Sequence, residues 1–306
     1  MPGHISRQPY TRYLVRDRLD RDVTFFLSEA PAGANAALPL VVYVQGSGCG
    51  SVFASADGRI TPTQGHITVA EAFASRARVL VVEKPGVTYL EQPPNCSALS
   101  AFAREHTLER WSVAIETALM AARAVPGVEA RHVLVIGHSE GGLVACRVAH
   151  DLPDVVTAVA SLAGGGPTQL FDLIELARRG TLLASVSSDP DARAAYVVDQ
   201  WTAIAQDPTS ADKTFLGFAY RRWATFLSSS PWTELASGGQ RIYLAQGMAD
   251  DAVDLRSADV LYAQLLAAGR TVTYDRVPRA DHSFTAPGTA DGWRTLMDRI
   301  AGWFVR

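Results

Sequence analysis

The stretch VLVIGHSEGG, residues 133–142, carries a buried-strand pattern straight into a turn in which glycines flank a serine on both sides. Gly137, Gly141 and Gly142 supply the backbone freedom that a sharp strand exit needs, and that alone would account for them. Placed between a strand and a helix, the spacing Gly137-x-Ser139-x-Gly141 has a second meaning: it lifts a serine hydroxyl clear of a sheet edge. The surrounding chain has to decide between the two.

Outward from this turn, LVVYVQ (40–45), RVLVVE (78–83), HVLVIG (132–137), VVTAVASLA (155–163), RIYLAQ (241–246) and TVTYDRV (271–277) are short, β-branched and apolar on successive residues. That is the pattern of parallel strands covered on both faces. TRYLVRD (11–17) and VTFFLSE (23–29) read as a hairpin, followed by a surface connection at APAGANAALP (30–39). Helical spacing predicts helices in TLERWSVAIETALMAARAV (107–125), with Thr107 at its start and Glu109 in its first turn, in SADVLYAQLLAAG (257–269) and in GWRTLMDRIAGWF (292–304). The alternation of strand and helix predicts an α/β protein with a mostly parallel central sheet and helices on both faces.

One interval breaks the rhythm. About 75 residues separate Ala163 from Arg241, too many for an ordinary crossover. TQLFDLIELARRG (168–180), ARAAYVVDQWTAIAQ (192–206) and KTFLGFAYRRWATFL (213–227) each read as helical, and the interval holds nine of the chain's 26 aromatic residues. The expectation is a core domain of residues 1–166 and 236–306, with residues 167–235 inserted as a helical cap over the carboxyl edge of the sheet.

Composition narrows the function classes. A formal charge of −3 over 306 residues, with no run of Lys or Arg, gives no reason to expect nucleic acid or an anionic membrane as a partner. The start, MPGHISRQPYTRYLVRD, lacks the features of a secretory leader, and no stretch of about 18 apolar residues could span a bilayer, so the expectation is a soluble, cytoplasmic protein. Cys49, Cys96 and Cys146 are too few for a disulfide framework, and no C-x-x-C or H-E-x-x-H spacing suggests a metal; no cofactor is expected. Free thiols are the default in a cytoplasm, although Cys49 and Cys96 both fall in loops at the carboxyl edge and could pair.

A serine in such a turn is inert at neutral pH without a base beside it and a third group to orient that base. Downstream, LAQGMADDAVD (244–254) places Asp250 and Asp251 just past a strand, and VPRADHSF (277–284) places His282 past the last one. Taken singly, Asp250 could cap the following helix and His282 could be an idle loop residue. Together with Ser139 they follow the order Ser, Asp, His, all at strand carboxyl ends, where such a sheet builds its site. His138, inside the turn, reads as a packing and hydrogen-bonding residue.

On Gly137-His138-Ser139-Glu140-Gly141-Gly142, Gly247-x-x-Asp250-x-x-Val253 and Asp281-His282-Ser283-Phe284, the chain resembles the α/β-hydrolases over roughly residues 10–305 apart from the cap. The resemblance implies Ser139 as nucleophile, His282 as base and Asp250 as the orienting acid, with Asp251 as the rival. It also implies an oxyanion site made by the N–H of Glu140 and a second N–H from the loop VVYVQGSGCGS (41–51), where Gln45 stands in place of the family's histidine; Ser47 is the expected donor and Gly48 the alternate. In the cap, Phe215, Phe218, Trp223 and Phe226 fall on one helical arc interrupted by Arg222. Phe218, Trp223 and Arg222 are therefore candidate substrate contacts, with plain packing and an ordinary ion pair as the competing readings.

The expected activity is hydrolysis of a small-molecule carboxylic ester in a roomy apolar pocket, bulky esters and lactones being compatible with it. Peptidase or amidase activity and acyl transfer are alternatives on the same three residues; no propeller-type size filter accompanies them. A ligand-binding relative without turnover is the alternative of another class, disfavoured because no member of the triad is missing. A dinucleotide site is a further rival, since GSGCGS (46–51) follows a strand and Glu83 ends the next one. Against it, Ser51 stands at the third glycine, and FASADGRITPTQGH (53–66) separates the glycines from the helix whose end a pyrophosphate must meet.

Overall fold

Successive Cβ atoms of a strand point to opposite faces, so strands that are apolar on every residue feed a core on each side of the sheet. A computed structural model describes residues 9–31, 36–56, 58–96, 99–288 and 291–306; residues 32–35 of the expected surface connection lie outside them. The strands are β1 Tyr10–Arg16, β2 Asp22–Ser28, β3 Leu38–Val44, β4 Phe53–Ala56, β5 Arg59–Pro62, β6 Arg78–Val82, β7 Val128–His138, β8 Ala158–Leu162, β9 Thr214–Phe215, β10 Phe218–Ala219, β11 Arg241–Gly247 and β12 Val272–Val277. The helices are α1 His66–Phe73, α2 Ser100–Glu105, α3 Leu108–Arg123, α4 Glu140–Asp151, α5 Gln169–Arg179, α6 Pro190–Gln206, α7 Tyr220–Leu227, α8 Pro231–Leu235, α9 Leu255–Ala267 and α10 Gly292–Phe304.

Eight strands form one sheet in the order β1-β2-β6-β3-β7-β8-β11-β12. The hairpin β1-β2 joins as its antiparallel edge, and every pair from β6 to β12 is parallel. In β3, Leu40, Val42 and Val44 enter a core with α3, α4 and α9, while Val41 and Tyr43 enter a second core with α1 and α10. The α/β architecture expected from the apolar runs is the one found. The N-cap role of Thr107 is also found, its side chain accepting the Arg110 N–H. Among the described residues no helix is long and apolar enough to cross a membrane.

Between β8 and β11 lie α5, α6, the hairpin β9-β10, α7 and α8. This insertion has its own small core of Leu173, Ala177, Val197, Ile204, Phe215, Trp223 and Leu227. Phe226 and Leu235 instead pack into the core beneath the sheet. The helix expected over 213–227 begins only at Tyr220. Leu216 and Gly217 take φ of 46° and 80° and turn the chain between β9 and β10, a conformation that a helix does not contain and that twists in step with a hairpin. Phe215 and Phe218 are thus paired across two strands, off the helical arc. A second hairpin, β4-β5, occupies what reads in the sequence as a polar loop.

Cys49 and Cys96 are joined, their Cα atoms 5.4 Å apart, so the free-thiol default is overturned for this pair. Their loops approach because both leave neighbouring parallel strands, β3 and β6, at the same edge. Unfolded without reductant, the protein should show one reactive thiol, the buried Cys146, and three after reduction. A count of three before reduction would exclude the bridge.

Candidate active site

The turn after β7 shows why its glycines are where they are. A Cβ on Gly137 would lie 1.9 Å from the Gly141 carbonyl oxygen, and one on Gly141 would lie 2.4 Å from the carbonyls of Val44 and Gln45. Only glycine lets helix α4 start this close to β3 and β7. Ser139 itself sits at φ 56°, ψ −127°, outside the regions a side chain prefers, pinned by its N–H to the Leu162 carbonyl at 2.8 Å. Within residues 137–142 the positive φ falls on Ser139, whose side chain borders two hollows.

Asp250 and His282 come from the loops after β11 and β12. The His282 Nδ1–H donates to Asp250 Oδ2 at 2.9 Å. Asp250 Oδ2 also accepts from Gln246 Nε2 at 2.8 Å, and its Oδ1 accepts the N–H groups of Ala252 and Val253 at 2.8 and 2.9 Å. Burial would raise the Asp250 carboxyl, yet His282 and these backbone donors hold it below its usual value. Asp251, the rival, is exposed. The His282 loop is closed by Asp281, whose Oδ1 accepts the N–H groups of Ser283 and Thr285 at 2.9 and 2.8 Å.

His138 does what its reading anticipates: its Nε2–H donates to the His282 carbonyl at 2.9 Å, and its ring packs against Trp293. Burial and the neighbouring His282 lower its pKa to about 4. The ring is therefore neutral at neutral pH and places no charge beside His282.

Two hollows meet at Ser139. The larger, about 520 Å³, is lined by Gly46, Ser47, Ser139, His282 and Trp293 among others. The smaller, about 160 Å³, lies under the insertion and is lined by Ser47, Ser139, Glu140, Leu173, Phe218 and Trp223, with Arg222, Gln169 and Asp172 as its polar wall. The roomy space is thus on the core side, because the insertion's aromatics are spent on packing one another. Gly48 borders neither hollow, and its carbonyl is taken by Lys84.

Glu140 is the first residue of α4, so helix geometry leaves its N–H without an intrahelical acceptor beside Ser139. Its side chain is buried and ion-paired with Arg222 of α7, and it accepts from His106 Nε2–H at 2.7 Å. Burial alone would raise the Glu140 carboxyl; Arg222, His106 and Lys84 together hold it well below the usual range. Arg222, a candidate substrate contact from sequence, therefore has its charge committed inside the protein, stacked near Trp223, Phe226 and Phe218. Phe218 and Trp223 do border the smaller hollow.

Glu83 is likewise committed: it accepts from Ser51 Oγ at 2.5 Å and from the Val52 N–H at 3.2 Å. The glycine loop leads into the hairpin β4-β5 and reaches a helix only at His66. Neither requirement of a dinucleotide site is met. Sequence reasoning missed His106 and Lys84. Lys84, two residues past β6 at the carboxyl edge, carries the positional signal of a site residue.

Comparison with known proteins bears on the whole arrangement. No curated protein matches the sequence significantly. Among solved structures, Est1E from Butyrivibrio proteoclasticus superposes with a TM-score of 0.61 at 14% identity over 96% of this chain and 97% of its own. The uncomplexed Pyrococcus horikoshii acylaminoacyl peptidase does so with a TM-score of 0.67 at 14% identity, over 99% of this chain and 42% of its own. At such identity these likenesses speak for the fold alone. The sequence model of the alpha/beta hydrolase family matches residues 41–290, a span that takes in the turn at Ser139 and the loops of Asp250 and His282. The chain belongs to the alpha/beta hydrolase family.

Proposed function

We propose that this protein hydrolyses carboxylic esters of small molecules through an acyl-enzyme on Ser139. The observation that carries the reading is the meeting of Ser139 and His282 in one hollow, with His282 held by the buried Asp250. His282 takes the Ser139 proton as Oγ attacks the ester carbonyl, forming the C–O bond of a tetrahedral intermediate. The N–H groups of Glu140 and Ser47 receive the oxyanion. The same proton then passes to the leaving alkoxide, and water, deprotonated by His282, releases the acid and restores Ser139.

The two hollows suggest which half of the ester goes where. The alkoxide must leave beside His282, which borders the larger hollow, so the acyl group enters the smaller one, where Glu140 sits, with Ser47 and Ser139 at the boundary of the two. A volume of about 160 Å³ holds only about five water-sized groups, which favours short acyl chains on bulky alcohols. The Cys49–Cys96 bridge belongs to an oxidising environment and weighs against the cytoplasm as its place of work.

The test is turnover of p-nitrophenyl esters from acetate to octanoate, with mass-spectrometric mapping of a fluorophosphonate adduct. Turnover highest for acetate to butyrate and an adduct on Ser139, absent from folded Ser139→Ala, are expected. Failure of both labelling and turnover would favour a binding protein.

A further inference from the structure

An oxyanion donor works only if its peptide is held in one orientation. In a trans peptide the carbonyl of one residue and the N–H of the next point in opposite directions in a common plane. Whatever grips the Gly46 carbonyl therefore aims the Ser47 N–H. Gly46 lies against the nucleophile, a Cβ there standing 3.0 Å from Ser139 Cβ. Its carbonyl accepts from Lys84 Nζ at 2.9 Å, and the same ammonium donates to the Gly48 carbonyl at 2.8 Å. Lys84 is 1% exposed, and Nζ stands 4.0 Å from the centre of the Trp111 ring.

We infer that Lys84 is a positioning residue for the proposed acyl transfer, its ammonium orienting and polarising the Gly46–Ser47 peptide so that the Ser47 N–H stabilises the oxyanion. The inference rests on the ester-hydrolase reading and adds to it a residue that never touches substrate. A cation at the carbonyl end draws electron density from the peptide and makes the N–H at the other end a stronger donor, in surroundings too dry to screen it. A neutral donor could satisfy the same two carbonyls without supplying that field. The pair of contacts on Gly46 and Gly48 fixes the loop on both sides of Ser47, so the donor does not have to reorganise during reaction.

Burial lowers the Lys84 ammonium to about 8. The charged groups facing it are Glu140 on α4, which favours the ammonium, and Arg222 on α7, which opposes it, with His106, itself lowered to about 4 by burial, bonded to Glu140. The polarising charge is present below about pH 8 and lost above it.

The experiment uses a trifluoromethyl ketone labelled with ¹³C at its carbonyl, whose hemiketal with Ser139 ionises to an oxyanion visible by NMR. In Lys84→Met, kcat should fall about 10²-fold with KM within about threefold, and hemiketal ionisation should move at least one pH unit upward, a tenfold weaker hold on the oxyanion. Unchanged kcat and unchanged ionisation, with only thermal stability reduced, would overturn the inference and leave Lys84 as a structural support. Should Lys84→Met not fold, Lys84→Gln carries the same two measurements, since an amide can still donate to a carbonyl but holds no charge: a fall in kcat with hemiketal ionisation shifted upward is expected, and both unchanged overturns the inference. A wild type that forms no hemiketal and turns over no ester would instead defeat the hydrolase reading, and the inference with it.

Discussion

Asp250→Asn will lower ester turnover by about 10⁴-fold, and Asp251→Asn will leave it within about twofold. Asp250 is buried at the centre of four donors, and the Nδ1–H of His282 is one of them. An amide at this position retains the shape. Its NH₂ group can meet Nδ1 only if that nitrogen is unprotonated, which puts the proton on Nε2, where the lone pair that should accept the Ser139 proton has to be. The amide also removes the negative charge that stabilises imidazolium formed during attack. Asp251 points to solvent on the same turn, so its exchange leaves these contacts untouched. Steady-state kinetics on the two folded variants decide the matter; equal losses would undo the choice of acid.

Arg222→Met will cost about 3–5 kcal/mol of stability at pH 7 and depress turnover with it. The Arg222 and Glu140 side chains are 4% and 2% exposed; with Arg222 gone, the Glu140 carboxylate keeps among the described residues the hydrogen bond of His106, which burial keeps neutral, and the more distant charge of Lys84, whose ammonium is bonded to the Gly46 and Gly48 carbonyls. A buried carboxylate stripped of its ion-pair partner is costly, and this one is attached to the residue whose N–H borders Ser139. In the wild type the Glu140 carboxyl is held below its unfolded value of 4.5, so its contribution is present above about that pH and is lost as pH falls further. In Arg222→Met burial dominates and the carboxyl rises, so the variant gains on acidification. The difference between the two proteins in urea unfolding should therefore shrink from pH 7 toward pH 5. Adding Glu140→Gln to Arg222→Met should recover much of the loss, because the stranded charge is then removed. Full additivity of the two exchanges would mean that they do not act as a pair.

Both expectations show how unevenly the chain discloses itself. The turn at Ser139 could be recognised because a strand, a sharp exit and a helix start each demand particular residues within ten positions. The parallel sheet could be recognised because strands covered twice are apolar on every residue, as Leu40 through Val44 are. Asp250 and His282 could be found because a parallel sheet gathers the ends of its strands along one edge, whatever the separation in sequence. Even the misread hairpin at 214–219 had its warning in Gly217, a residue that costs stability within a helix.

Partnerships between side chains left no such trace. Arg222 and Glu140 are 82 residues apart, and neither position demands the other until α7 is laid over the start of α4. Lys84 reaches back 38 residues to the Gly46 carbonyl, and Cys49 meets Cys96 across 47, because β3 and β6 lie side by side. Local order follows from steric and periodic rules that act within a few residues, and that much the sequence determined: the strands, the turn at Ser139 and the order in which Ser139, Asp250 and His282 follow strand ends. Which charges are paired, which hollow is filled and which peptide is aimed depend on distances set by packing, and those the tertiary structure alone decided.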